Sequence, residues 1–249
     1  MYYLDFFTSV HEQLQPQAYL EIGVAEGKCL RLSRCRTVGI DPGFALVVPI
    51  DGDIALFRTT SDEYFSRDNP LEPTQGRPFD MAFIDGLHLF EFALRDFINT
   101  ERNSSPNGLI IFDDVLPRSV KEAARARATN LWTGDVYPIL EVLAKYRPGL
   151  SVLPVDTWPT GLLLVTGLDP EDTTLADHYD EIVAQFRRPD PQPVPEDLMD
   201  RLTVLQPEMV LESGFLEILR DQREDVAAMR GNLATTLREK LGSDFAPVG

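Results

Sequence analysis

Three apolar runs in this chain each end in a carboxylate, and a fourth, ahead of them, runs into two glycines. The three are Val38-Gly39-Ile40-Asp41-Pro42, Phe79-Asp80-Met81-Ala82-Phe83-Ile84-Asp85, and Gly108-Leu109-Ile110-Ile111-Phe112-Asp113-Asp114. The fourth is Tyr19-Leu20-Glu21-Ile22-Gly23-Val24-Ala25-Glu26-Gly27-Lys28-Cys29. It reads as a buried strand that stops abruptly, a glycine turn and the start of a helix over Glu26 to about Arg34. Glycine permits positive φ and puts no Cβ between chain and ligand, so a ligand can lie against main-chain N–H groups there. Acidic residues at several parallel strand ends describe a ligand cleft along one edge of an open α/β sheet.

The rest of the chain fits that frame. Phe6, Phe7, Val10 and Leu14 share one side of a helix over Tyr3 to Leu14, which Pro16 ends. The strands are expected at Ala18 to Ile22, Thr37 to Ile40, Leu56 to Thr60, Phe79 to Ile84 and Leu109 to Phe112. Helices are expected where Ser61 and Asp62 open a short segment, at Leu89 to Ile98, at Val120 to Ala128 and at Val136 to Arg147. Leu150 to Val155 and Gly161 to Thr166 are joined by too few residues for a helical crossover, so that pair is antiparallel. The fold class expected is α/β. It is a doubly wound, Rossmann-like, seven-stranded sheet, mostly parallel with one antiparallel edge strand, plus a C-terminal helical extension.

The division expected is a domain over residues 1–188, a proline-rich linker over 189–195 and a helical extension over 196–249. In the extension Leu198, Leu202 and Leu205 form one apolar stripe, and Val226, Met229, Leu233, Leu237 and Leu241 a second. Such stripes cover a core or a partner subunit. The second option makes a homo-oligomer, most simply a dimer, the expected assembly.

Composition narrows the partners. A net charge of −17 and a pI near 4.5 argue against a nucleic-acid binder, which needs a basic face, and against anionic membrane surfaces. No apolar stretch is long enough to span a bilayer. The start of the chain lacks a basic leader with an apolar region behind it. Cys29 and Cys35 are the only cysteines and make no zinc site alone. A reduced, cytoplasmic protein is the expectation.

A carboxylate ending the second strand, as Asp41 does, can hold a ribose through its hydroxyls. A nicotinamide enzyme could use the same geometry, but position 25 is Ala, so the G-x-G-x-x-G fingerprint is missing, and no G-K-[ST] phosphate loop follows the first strand. Asp85 and the Asp113-Asp114 pair end adjacent strands and can converge on one hard cation such as magnesium. Otherwise Asp85-Gly86 is a turn and Asp113-Asp114 caps a helical turn. His88 is a side chain able to take a proton near neutral pH, or a solvated helix-start residue. Trp132 and Tyr137 line a substrate mouth or fill core, and Arg125 and Arg127 face an anionic substrate or solvent.

Glu21 to Gly27 together with Asp41 resembles the cofactor motifs of class I S-adenosylmethionine-dependent methyltransferases, and the closing hairpin is similar to theirs. More narrowly, Phe83-Ile84-Asp85-Gly86-Leu87-His88 with Ile111-Phe112-Asp113-Asp114 resembles the group called methyltransferase family 24 and the metal-dependent O-methyltransferases of catechols and sugars. The resemblance spans about residues 15 to 170. It implies that Glu21, Gly23 and Gly27 line the methionine part of the cofactor and that Asp41 binds the ribose. It further implies that Ser61 and Asp62 contact the adenine, with Asp85 also at the cofactor. Asp85, Asp113 and Asp114 align with the metal ligands, for which magnesium is expected. His88 stands where the catechol enzymes place a lysine base, and with Asp85 it forms the expected catalytic pair.

The function expected is transfer of a methyl group from S-adenosylmethionine to a hydroxyl of a small metabolite of the sugar or polyphenol type. The alternatives are a metal-independent O- or N-methyltransferase and a catalytically inactive methyltransferase-like assembly subunit. An NAD-dependent oxidoreductase is a more distant alternative.

Overall fold

The computed structural model describes residues 1–247. Seven strands form one sheet in the order β3-β2-β1-β4-β5-β7-β6. They are β1 (Ala18–Ile22), β2 (Arg36–Ile40), β3 (Ile54–Phe57), β4 (Phe79–Ile84), β5 (Ser104–Phe112), β6 (Ser151–Val155) and β7 (Leu162–Thr166). The first five pair in parallel. The reversed strand is β7, one place in from the rim, antiparallel to both β5 and β6. Every residue of β1, β4 and β7 is buried, as expected of strands covered on both faces. Asp80 is buried too, because its carboxylate accepts the N–H groups of Gln17 and Ala18 where β1 begins.

The described residues form ten α-helical segments. They are α1 (Tyr3–Leu14), α2 (Ser61–Phe65), α3 (Phe90–Arg102), α4 (Ile139–Tyr146), α5 (Thr174–Asp177), α6 (Tyr179–Phe186), α7 (Glu196–Met199), α8 (Pro207–Leu211), α9 (Phe215–Asp221) and α10 (Val226–Lys240). Phe90, Leu94 and Phe97 of α3 lie at helical spacing and pack with α4 and α6 on one face of the sheet. The other face carries Phe6, Phe7, Val10 and Leu14 of α1, with residues of α8, α9 and α10.

Two expected helices are not there. After the glycine turn the chain makes only a short 3-10 segment, Leu30–Leu32. Val24, Cys29 and Leu30 are buried in the layer that α1, α9 and α10 share, so the C-terminal helices cover the face that a helix after β1 would have covered. Residues 120–128 form turns and bends. Their backbone is satisfied from outside: the amides of Arg125 and Ala126 donate to the Asp190 carboxylate, and the Glu122 carbonyl accepts from Thr133 and Gly134. Of the stretch expected to be helical from Val136, only Ile139–Tyr146 is α-helix.

Met229, Leu233 and Leu237 are buried in the chain's own core. That stripe therefore offers no exposed face to a second copy. Leu198 and Leu205 are buried as well, whereas Leu202 is 75% exposed and breaks the other stripe. Gln192 and Val194 of the proline-rich segment are buried, Val194 in the core cluster of β4 and α3. Residues 248 and 249 of the expected extension lie outside the described residues. No helix among the described residues is long and apolar enough to cross a membrane.

Candidate active site

The sheet register builds the site. Ile22 pairs with both Ile40 and Ile84, and Ile84 pairs with Phe112. The next residue on each strand therefore falls in one row: Gly23, Asp41, Asp85 and Asp113. Backbone bonds continue across that row, from Gly23 N–H to the Ile40 carbonyl at 2.9 Å, Asp85 to Ile22 at 2.8 Å and Asp113 to Ile84 at 3.1 Å. Gly23 has φ +91°, and a Cβ there would collide with the Asp85 carbonyl. Only glycine lets the two strand ends come this close. Asp41 ties down the turn above: its Oδ2 accepts the Ala25 N–H at 2.7 Å and its Oδ1 the Gly43 N–H at 2.6 Å.

A cavity of about 450 Å³ opens along this edge, lined by Gly23, Asp41, Ser61, Asp85, His88 and Phe92 among others. At its floor an imidazole is held between two carboxylates. His88 Nε2 lies 3.0 Å from Asp85 Oδ1, and Nδ1 lies 2.8 Å from Asp114 Oδ2 and 3.2 Å from the Trp132 carbonyl. The ring stacks on Trp132 with centroids 5.0 Å apart. His88 and Asp114 both have left-handed backbones, φ +54° and +60°, a conformation side chains pay to adopt and one concentrated at functional sites.

A carbonyl oxygen only accepts, so Nδ1 carries a hydrogen, and Nε2 faces a carboxylate that also accepts. Burial works to lower the imidazole's pKa, but Asp114 and Asp85 outweigh it and hold His88 up at about 11. Burial raises Asp85 to about 6 against the opposing bond from His88, and burial followed by the Asp114 and Asp85 charges raises Asp113. As arranged, both ring nitrogens of His88 face acceptors, so neither is the free nitrogen that a general base needs.

The other expected residues divide. Ser61 and Asp41 reach the cavity, and Asp62 lines it. Glu21 does not reach it: its side chain is 1% exposed and accepts the Tyr19 hydroxyl at 2.7 Å, and burial raises it to about 8. Gly27 faces the loop that carries Leu46, Val48 and Ile50, not the cavity. Asp113 turns its Oδ1 toward the Asp114 N–H at 2.8 Å and the Thr160 hydroxyl at 3.4 Å. The donors gathered close together are thus Asp85, His88 and Asp114, with His88 in the place expected for Asp113. Arg125 is bound by Glu91 and Asp135 and does not face a substrate, and Tyr137 is buried. Asp96 was missed. Its signal was a carboxylate on the apolar face of α3, among Ala93, Leu94 and Phe97.

The strand order, the acidic row and the glycine turn are those that the resemblance to class I S-adenosylmethionine-dependent methyltransferases implies. Residues 20–115, the segment that carries all four strand ends, match the family model described as a methyltransferase domain. Among solved structures, the chain is similar to an O-methyltransferase from Bacillus cereus in complex with SAH, at 16% identity, TM-score 0.48, covering 66% of this chain and 79% of that one. It is similar to TomG from Streptomyces achromogenes, an O-methyltransferase in complex with SAM, at 16% identity, TM-score 0.48, covering 66% and 78%. The SAH-bound methyltransferase PaMTH1 from Podospora anserina gives 15% identity, TM-score 0.45 and coverage of 67% and 78%. No curated protein matches the chain.

Proposed function

We propose that this enzyme transfers a methyl group from S-adenosylmethionine to a hydroxyl of a small metabolite of the sugar or polyphenol type. The observation that carries the reading is the row Gly23, Asp41, Asp85 and Asp113 along one edge, with the cavity over it. S-adenosylmethionine supplies an electrophilic methyl group when bound. Asp41 keeps lone pairs free for ribose hydroxyls beyond its two backbone bonds. Gly23 lets the ligand approach the main chain. Asp85, raised toward neutrality and reaching the cavity, is the group suited to take the acceptor's proton. His88 holds Asp85 in place and stabilises it when ionised.

Asp85, His88 and Asp114 fit a divalent ion if His88 gives up the proton at one ring nitrogen. Two carboxylates and an imidazole suit manganese or zinc better than magnesium, which prefers oxygen alone. Such an ion would lower the pKa of a hydroxyl placed against it. A second, metal-independent reading is favoured by one observation, that both ring nitrogens of His88 already face acceptors. In that reading the imidazolium offsets the repulsion between the two carboxylates. The cytoplasmic assignment rests on Cys29 and Cys35, both free thiols.

Calorimetry tests the cofactor reading. S-adenosylhomocysteine should bind the wild type, and Asp41→Ala should weaken it roughly 10- to 100-fold through lost hydrogen bonds to a charged acceptor. Equal affinity for both proteins removes Asp41 from the ribose site. Methyl transfer to a panel of catechols, flavonoids and glycosides, with and without EDTA, then separates the acceptor classes and the two metal readings.

A further inference from the structure

The loop between Asp114 and α4 forms one wall of the active site. The Trp132 carbonyl lies 3.2 Å from His88 Nδ1, and the Trp132 ring stacks on the imidazole. Gly134 packs against the His88 carbonyl, and Val136 shares a small cavity with Asp85, His88 and Asp113.

The charge of this wall is opposite to that of the molecule. Residues 115–134 hold Arg118, Lys121, Arg125 and Arg127 against a single acid, Glu122, in a chain of net charge −17. Other arginines around the site already have carboxylates. Arg95 donates Nε to Asp62 Oδ1 at 2.8 Å and Nη2 to Asp62 Oδ2 at 2.6 Å. Arg118 pairs with Asp156, and Arg125 with Glu91 and Asp135. Arg127 makes no ion pair among the described residues. Its guanidinium lies 5.8 Å from the centre of the Trp132 ring, one stacked ring away from His88. A chain this acidic repels anions, and a free cation beside the reacting groups reverses the field there.

Apolar surface borders the same stack. Leu87 and Leu131, each next in sequence to one of the two stacked rings, are 58% and 38% exposed. Leu87 also lines the cavity. Exposed apolar side chains beside an indole suit the face of an arene better than the hydroxyls of a sugar.

We propose that the methyl acceptor is a hydroxylated aromatic acid whose carboxylate is bound by the Arg127 guanidinium while its hydroxyl faces Asp85. Arg127 then sets the preference for an acid over a neutral arene. The inference rests on the methyltransferase reading above and narrows its acceptor from sugars and polyphenols to one class. Trp132 spaces the bound carboxylate from Asp85 and Asp114, which would repel it in direct contact. The guanidinium fork matches a carboxylate with two parallel bonds, which a lysine cannot reproduce. Arg127 acts on binding and takes no part in the transfer.

The test titrates protein loaded with S-adenosylhomocysteine, by calorimetry, with protocatechuate and with its neutral amide, protocatechuamide. Wild type should prefer the acid roughly 10-fold at low salt, a modest ratio because Arg127 is exposed, and the preference should shrink as salt is added. Arg127→Gln should bring the ratio near one and leave the affinity for the amide unchanged, and Arg127→Lys should restore part of the ratio. Arg102→Gln removes the same charge from an exposed arginine at the end of α3 and should keep the wild-type ratio. Equal affinity of the wild type for acid and amide overturns the assignment, as does a preference kept by Arg127→Gln or lost by Arg102→Gln. Galacturonate bound more tightly than protocatechuate overturns the aromatic class. A wild type that takes up S-adenosylhomocysteine but neither aromatic compound overturns this inference alone. One that takes up no S-adenosylhomocysteine overturns the methyltransferase reading with it.

Discussion

His88 Nδ1 stands 2.8 Å from Asp114 Oδ2, and both residues reach that contact through left-handed backbones. With Asp85 on the other nitrogen, the ring lies between two carboxyl groups. Nearby, Gly134 at φ +58° leaves room for the His88 carbonyl, with which a Cβ at that position would collide.

This clamp predicts a pH-dependent stability difference. An imidazole whose folded pKa is raised from about 6.5 to about 11 contributes stability that is full below the unfolded value and is lost as pH rises through the folded one. His88→Ala leaves Asp85 and Asp114 facing each other and should cost about 1–3 kcal/mol, discounted for partial exposure. In EDTA the gap between wild type and variant should be largest near pH 6 and shrink toward pH 10, by urea unfolding. A constant gap means a neutral ring. Manganese or zinc added at pH 8 should raise the wild-type Tm reversibly, and an unmoved Tm leaves the metal-independent reading.

Glu21 gives a second pH signature. Burial raises it to about 8 against the opposing Tyr19 hydrogen bond, above its unfolded value of about 4.3. The folded state therefore holds a proton that the unfolded chain releases, and stability falls as pH rises between those values. Glu21→Gln keeps an acceptor for Tyr19 and removes the titration. It should gain on the order of 1–3 kcal/mol at pH 8 and nothing at pH 4. A gain of equal size at both pH values would show that Glu21 does not titrate on folding.

A chain ending at Arg188 should not fold cooperatively. It loses Phe215, Leu216, Leu219, Met229, Leu233 and Leu237, all buried against one face of the sheet. Each such side chain contributes about 1.5–3 kcal/mol, and a domain's whole stability is about 5–15 kcal/mol. Circular dichroism and light scattering should show a broad or absent transition and aggregation. A soluble monomer with the wild-type Tm would show that the extension is dispensable to the core, and a folded monomer from a dimeric full-length chain would restore its expected role in assembly.

Local pattern carried much of the fold. The near-continuous apolar runs ending at Ile40, Ile84 and Phe112 located three parallel strands, because strands buried on both faces have no polar alternation to hide them. The five-residue connection from Asp156 to Thr160 settled the hairpin by length alone. The expected helices at Glu26 and Val120 failed for a different reason. Short segments have little helix stability of their own, and their backbone groups found partners on distant residues such as Asp190.

The site divides along the same line. Position at a strand end is a property of the sequence, so Gly23, Asp41, Asp85 and Asp113 are legible in it. Where a side chain points once the strand has ended is decided by neighbours far along the chain. Thr160 helps turn Asp113 aside, Trp132 and Asp114 draw His88 into the gap, and Arg95 occupies Asp62. The sequence determined which strand ends carry acids, through periodicity and glycine. Only the tertiary structure decided which acids flank His88, which face the cavity and which are silent, because hydrogen bonds and burial among residues remote in sequence set those choices.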